Sequence, residues 1–331
     1  MQTMIFSRSD VAARLRMSDC IHAVENAFGM LGRGEAEPPA TLGMHVSGGG
    51  FHIKAGVLES GDRTYCAVKT NGNFPGNRAR GLPTIQGLLT LSDATDGRVL
   101  AVMDSSELTA LRTAAATAVA ARYLARPESA RVVICGCGLQ ARTQLVALCE
   151  VLPVRDVQAF DVDAAASARF ASQMSVTLNI PVRPAHNLAA ALANADVCVT
   201  CTTSSEFIVN RDMVLAGTFV AAVGVDNEHK RELAPNLMRA AKVVTDMRTQ
   251  CAEIGDLHHA ITAGVMSIDD VHADLSEVVA GKKSGREEKS EIIIFDSTGL
   301  ALQDVAAAIA IYESAAGVYP GSALRTIDFA D

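Results

Sequence analysis

The sequence predicts an α/β protein in two parts: a Rossmann-type doubly wound parallel sheet, and an α+β domain whose strands are mostly antiparallel. Three observations lead there. From residue 131 to 295, apolar runs of strand character alternate with helical stretches, which is how a parallel sheet is written in sequence. From 50 to 104, short strand-like runs follow one another across Gly-, Asn- and Pro-rich turns with no helix between them, which suits an antiparallel sheet. The chain of 331 residues is also long enough for about two domains, each burying its own core.

The elements follow in order. A helix is expected over 17–34, with Ile21, Val24, Phe28 and Leu31 on its apolar face and Ser18 or Asp19 available as its cap. Strands are expected at 50–55, 65–70, 84–92 and 99–104, separated by turns such as Asn71-Gly-Asn-Phe-Pro-Gly76. Ser106-Glu-Leu-Thr109 opens a long alanine-rich helix that runs to about Ala125, where Pro127 ends it. Parallel strands are expected at 132–135, 156–160, 196–202, 219–223, 242–245 and 291–295. The charged, glycine-containing stretch 281–289 reads as a solvated loop, and 300–315 as a final helix returning to the first domain.

Arg131-Val-Val-Ile-Cys-Gly136-Cys-Gly138-Leu-Gln-Ala141 is the most specific feature. A strand breaks at Gly136 and helical spacing resumes at Gln140, so the turn falls at a helix N-terminus, where backbone N–H groups and the helix dipole attract a pyrophosphate. In this G-x-G-x-x-A pattern Gly136 permits the turn, Gly138 lets the backbone approach phosphates, and Ala141 lets the helix pack closely on the strand. After a second strand, Asp161 is placed to accept from both ribose hydroxyls and to repel a 2′-phosphate, which favours NAD(H) over NADP(H). The expected cofactor set from this turn is Gly136, Gly138, Leu139, Gln140 and Asp161.

Composition narrows the partners. A net charge of −8, 4% aromatic residues and no basic cluster argue against nucleic acid and for a small molecule. No apolar run approaches the ~20 residues needed to span a bilayer, and residues 1–10 lack a long apolar core, so the expectation is a cytoplasmic protein without membrane contact. Six of the eight cysteines lie in apolar runs, as small hydrophobes do in a reducing compartment. Cys198 and Cys201 are three apart on an expected strand, so their sulfurs should diverge, and His258-His259 matches no compact zinc spacing; no metal is expected.

Several separate motifs, in order, resemble the ornithine cyclodeaminase/mu-crystallin family: Gly81-Leu-Pro-Thr-Ile-Gln-Gly87, Ala101-Val-Met-Asp104, Leu111-Arg-Thr-Ala-Ala115, the glycine turn, Gly224-Val-Asp-Asn-Glu-His-Lys-Arg-Glu-Leu233 and Phe295-Asp-Ser-Thr-Gly-Leu-Ala301. The segment 271–305 is similar to the family's archaeal alanine dehydrogenases. The resemblance implies a homodimer, a substrate-binding and dimerisation domain over 1–115 and 300–331, and a Rossmann NAD-binding domain over 116–299. It also implies that Lys69 and Arg112 bind the substrate carboxylate, that Asp226 is the acid/base group with Lys230 beside it, and that Thr84, Arg112, Thr113, Lys230 and Ser297 neighbour the cofactor. Taken alone, Lys69 reads equally as a solvated lysine, Arg112 as a helix-pairing arginine, Asp226 as a turn former, and the hydroxyls as partners of local backbone.

Two departures bear on the substrate. The family's cyclodeaminases carry an acid before a Met-Pro pair in an early strand; here His52 occupies the acid's place and Lys54 replaces the Met. A diamine would meet positive charge there, and unpaired buried like charges are costly. The family's earlier basic carboxylate ligand, near residues 40–42, is missing, so Lys54 is expected to take over its task or to bind a second carboxylate. The leading reading is therefore an NAD(H)-dependent amino-acid dehydrogenase or imine reductase acting on the alanine, iminosuccinate/aspartate or pyrroline-2-carboxylate type of substrate. Its chemistry needs a hydride donor, a cation pair and a proton-transfer group, with Lys69 and Asp226 as the catalytic residues. The alternatives are an ornithine cyclodeaminase and a non-catalytic, crystallin-like NAD-binding protein.

Overall fold

Alternation of inward and outward side chains organises the first part of the chain, whose elements are β1 (Gln2–Phe6), α1 (Arg8–Arg14), α2 (Met17–Arg33), β2 (Ala40–Val46), β3 (Gly49–Ser60), β4 (Arg63–Asn73), β5 (Ile85–Asp93), β6 (Val99–Asp104) and α3 (Ser105–Leu124). The computed structural model describes residues 2–316 and 325–329, and the chain divides into two compact units, Met1–Arg112 with Leu300–Asp331, and Thr113–Gly299.

The second unit contains β7 (Arg131–Cys135), α4 (Leu139–Cys149), β8 (Asp156–Phe160), α5 (Ala164–Leu178), β9 (Val182–Pro184), α6 (Leu188–Leu192), β10 (Val197–Thr200), β11 (Phe219–Ala222), α7 (Pro235–Ala240), β12 (Lys242–Thr245), α8 (Arg248–Ile254), α9 (Asp256–Thr262), β13 (Ala273–Asp274), α10 (Leu275–Val279) and β14 (Ile293–Asp296). The chain then returns to the first unit with α11 (Ala301–Ala316) and β15 (Arg325–Asp328).

In the first unit the strand order is β15-β1-β6-β5-β4-β3-β2, antiparallel throughout except for the β1–β6 pair. One face is buried through Leu58, Tyr65, Ala67, Leu89, Leu91, Ala101 and Met103, and α11 packs on β3, β4 and α2. Gly56 shows how closely: a Cβ there would meet Leu302 at 3.2 Å and Val305 at 3.3 Å. The opposite face carries Leu42, Met44, Val57, Val68 and Leu88 in the open, with Leu42 and Leu88 55% and 57% exposed. α2 buries Cys20, Ile21, Val24, Ala27 and Phe28 at helical spacing and ends at Gly34, whose φ of 80° suits glycine. Its N-cap is Arg16, with no side-chain cap bond, so neither Ser18 nor Asp19 serves as the cap: both lie inside the first turn.

The second unit's sheet runs β13-β12-β14-β11-β10-β7-β8-β9 with every pair parallel. β7, β10, β11 and β14 are buried almost end to end, which is why they read as continuous apolar runs. After β7 the chain goes to β8 on one side and later to β10 on the other, so the order reverses between β7 and β10. Open α/β sheets bind ligands at the carboxyl ends of strands at such a point. Among the described residues no helix is long and apolar enough to cross a membrane.

Candidate active site

The chemistry-bearing residues fall into two groups, one in each unit. In the first unit, Lys54 and Lys69 are direct register partners on β3 and β4 and lie on the buried face, 9% and 3% exposed. His52 and its register partner Asn71 follow on the same face. Arg112, on α3, is also buried. Asp304 of α11 lies between the cations: its carboxylate is 2.6 Å from Lys69 Nζ and 2.8 Å from Arg112 Nε. Arg112 Nη1 also donates to Gln303 Oε1 at 2.7 Å, and Lys69 Nζ to Thr109 Oγ1 at 3.3 Å.

Sequence reasoning therefore named Lys69 and Arg112 and missed the counter-ion beside them. A signal was present, because Asp304 is the one charged residue in the stretch 300–312, which is otherwise apolar but for Gln303 and the Tyr312 hydroxyl. Burial pushes the Lys69 ammonium down to about 7; Asp304 opposes that shift, while Arg112 and Lys54 add to it. Burial also works against ionisation of Asp304, but Arg112, Lys69 and Lys54 outweigh it and hold its carboxyl below the usual range. The cluster is thus a cationic floor in which one carboxylate is already seated between Lys69 and Arg112.

The second unit carries the glycine turn. Gly136 has φ +89°, and a Cβ there would lie 2.9 Å from the Cys201 carbonyl, so both conformation and space require glycine. Gly138 is the N-cap of α4 and makes no side-chain cap bond; a Cβ on it would meet nothing within 4 Å. The backbone is therefore bare and open where a pyrophosphate would lie against the helix N-terminus. Ala141 is fully buried, Leu139 is 46% exposed, and Gln140 Oε1 is buried without a hydrogen-bond partner. Asp161 follows β8; its carboxylate accepts from Cys137 N at 2.7 Å and Asp163 N at 2.9 Å, which ties it to the turn. These residues fit a dinucleotide.

The other site residues have definite places. Asp226 and Lys230 form an ion pair of 2.7 Å in the loop after β11. Ser297, following β14, donates to Asp246 Oδ2 at 2.9 Å, so its hydroxyl already has a buried partner. Thr84 precedes β5, and its carbonyl accepts from Phe74 N at 2.8 Å; Thr113 is buried on α3. All eight cysteines are free. Cys201 lies just past β10 with its thiol on the Cys135 and Gly136 carbonyls, and His258 and His259 sit on α9. Among the described residues, no group of three or more His, Cys, Asp or Glu is placed to hold a metal ion.

A two-unit α/β protein with a glycine turn of dinucleotide-binding type in one unit and a buried cationic cluster in the other has the build of a nucleotide-dependent enzyme. The chain belongs to the ornithine cyclodeaminase/mu-crystallin family, whose profile matches residues 1–318. It is similar to an archaeal alanine dehydrogenase dimer with bound NAD, 37% identical with a TM-score of 0.94, covering 99% of this chain and 100% of that one. The Δ1-pyrroline-2-carboxylate reductase of Thermococcus litoralis, solved with NADH and L-proline, is 34% identical with a TM-score of 0.91 over 95% of this chain and 98% of that one. The iminosuccinate reductase of Paracoccus denitrificans, solved with NAD+, is 30% identical with a TM-score of 0.88 over 99% and 100%.

Proposed function

We propose that the protein is an NAD(H)-dependent amino-acid dehydrogenase or imine reductase acting on a small imino acid. The observation that carries this reading is the buried cluster of Lys54, Lys69 and Arg112: Asp304 lies 2.6 and 2.8 Å from two of them, a separation a substrate carboxylate would also adopt. When bound, the nicotinamide supplies or accepts the hydride. Lys69 and Arg112 grip the carboxylate and fix the α-carbon, and Asp226, oriented by its ion pair with Lys230, exchanges the proton at the substrate nitrogen. The turn from Gly136 to Gln140 holds the pyrophosphate, Asp161 the ribose, and Thr84, Thr113 and Ser297 complete the cofactor's surroundings. Asp161 supports a preference for NAD(H) over NADP(H), because a 2′-phosphate would meet its carboxylate.

Alanine/pyruvate, aspartate/iminosuccinate and pyrroline-2-carboxylate are the substrate pairs that the relatives' names support. His52 and Lys54 weigh against ornithine, whose second ammonium would enter a site already rich in cations. The exposed apolar sheet face of the first unit supports a homodimer, since a contiguous apolar patch of this kind on one protein usually meets another surface. The eight free thiols support a cytoplasmic location.

The deciding experiment follows NADH and NADPH oxidation with ammonia plus pyruvate, oxaloacetate or glyoxylate, and with Δ1-pyrroline-2-carboxylate, beside ornithine plus NAD. Turnover of one imine with NADH faster than with NADPH is expected. Proline and ammonia from ornithine without net NADH change would establish a cyclodeaminase instead, and NADH binding without any turnover would leave a binding protein. Lys54→Glu is expected to weaken a dicarboxylic substrate far more than a monocarboxylic one; equal losses remove the second-carboxylate role. For assembly, light scattering of Leu42→Glu/Leu88→Glu is expected to give a monomer where the unaltered chain gives a dimer.

A further inference from the structure

The loop that carries Asp226 is anchored by a carboxylate that no step above uses. Glu232 is completely buried. Its Oε2 accepts from Thr200 Oγ1 at 2.7 Å and from Gly224 N at 3.0 Å, and its Oε1 from Thr202 N at 2.6 Å and Thr202 Oγ1 at 2.7 Å. Thr200 ends β10, and Thr202 and Gly224 lie in the loops that follow β10 and β11. One side chain thus ties together two loops at the carboxyl edge of the sheet. The fit is tight, for a Cβ on Gly224 would lie 2.5 Å from both Glu232 Oε1 and the Thr202 carbonyl.

Glu232 is itself fixed from below. Asp256 Oδ1 accepts from Glu232 N at 2.8 Å and Leu233 N at 3.0 Å, and Asp296 in turn accepts from Asp256 N at 3.3 Å and Leu257 N at 2.9 Å. At the far end of the loop, His259 Nε2 pairs with the Lys230 carbonyl at 2.7 Å. Asp226 lies between these anchors, two residues after Gly224.

We infer that Glu232 is a positioning residue for Asp226: it holds the start of the loop flat against the β10 edge, so that the Asp226 carboxylate is presented in one place. The inference rests on the acid/base reading of Asp226. It is specific about chemistry, because Gly224 N–H and Thr202 N–H can only donate, one to each oxygen of Glu232. A glutamine in its place must turn its NH2 toward one of them, whichever way the amide is oriented, and so loses an anchor at nearly constant size.

The test uses the full chain in three forms: unaltered, Glu232→Gln and Asp226→Asn. Amide hydrogen exchange is measured over residues 219–230, and turnover is measured with NADH and whichever imine of the screen above reacts fastest. Glu232→Gln is expected to exchange about tenfold faster in that segment. It should also lose on the order of 10²-fold in kcat while NADH affinity, read by fluorescence, stays within about twofold. Asp226→Asn is expected to lose turnover with exchange unchanged. Full turnover by Asp226→Asn overturns the acid/base reading. An inactive Asp226→Asn beside a Glu232→Gln chain with unaltered exchange and rate overturns the positioning role alone. Should Glu232→Gln fail to fold, Thr202→Val removes a hydroxyl donor and keeps the N–H; a smaller acceleration in the same segment is expected, and none counts against the inference.

Discussion

The cationic floor of the first unit and the acid ladder of the second both bury ionisable groups almost completely, yet they neutralise them by different means. Lys69 and Arg112 face a side chain, Asp304. Glu232, Asp256 and Asp296 face backbone N–H groups, and Glu232 also two hydroxyls. A side-chain counter-ion resembles a ligand and can share its cations with one. A backbone amide cannot leave without unfolding the loop it belongs to. The first arrangement therefore suits binding a carboxylate, and the second suits holding loops still.

Removing Asp304 is the strongest way to break this contrast. Asp304→Asn leaves two buried cations without their counter-ion, and loss of one partner of a buried pair costs about 3–5 kcal/mol; urea unfolding reads that loss. The pH dependence adds a second readout. Lys69 keeps its proton to about 7 when folded but to near 10.5 when unfolded, so folding releases a proton there and stability rises with pH between those two values. Grip on a carboxylate needs the charged form, so kcat/KM is expected to fall as pH rises through about 7. Asp304 is the carboxylate that pulls Lys69 back up, so Asp304→Asn is expected to shift the fall to lower pH. A fall that stays in place would mean that Asp304 serves the fold and not the cations.

The same contrast explains what could be read from the chain. The parallel strands β7, β10, β11 and β14 were legible because they are buried on both faces, and the glycine turn because backbone conformation and phosphate approach both demand glycine at fixed spacing. β2 gave no signal: all seven of its residues are exposed, so no alternation marks an inner face. β9 and β13, with three and two residues, are too short for any period to show. β3 and β4 run to 12 and 11 residues, well past the stretches 50–55 and 65–70, because their pairing continues through turn-type residues such as Gly56, Ser60, Asn71 and Gly72. For the candidate site, Lys69, Arg112 and Asp226 were named through motifs. Asp304 and the ladder were not, since their partners lie 192 to 235 residues away for Asp304 and up to 40 for the ladder, and spacing along the chain carries no trace of them.

The ladder makes the smallest but most discriminating prediction. Burial raises the Asp296 carboxyl from 3.8 to about 7, with Asp246 and Glu232 adding to the shift and the Leu257 and Asp256 amides opposing it. A folded-state acid that holds its proton more tightly than the unfolded chain stabilises the fold fully below the unfolded value, and that contribution is lost as pH rises through the folded one. Thermal melts are therefore expected to show the second unit losing stability from about pH 4 to about pH 7. Asp296→Asn cannot ionise, and its NH2 must face one of the two N–H groups that the carboxyl accepts from, so it should flatten this slope and lower the melt more at pH 5 than at pH 8. If instead the substitution lowers the melt equally at pH 5 and pH 8, the acids act through their shape alone, and the ladder's charge plays no part in holding the loops.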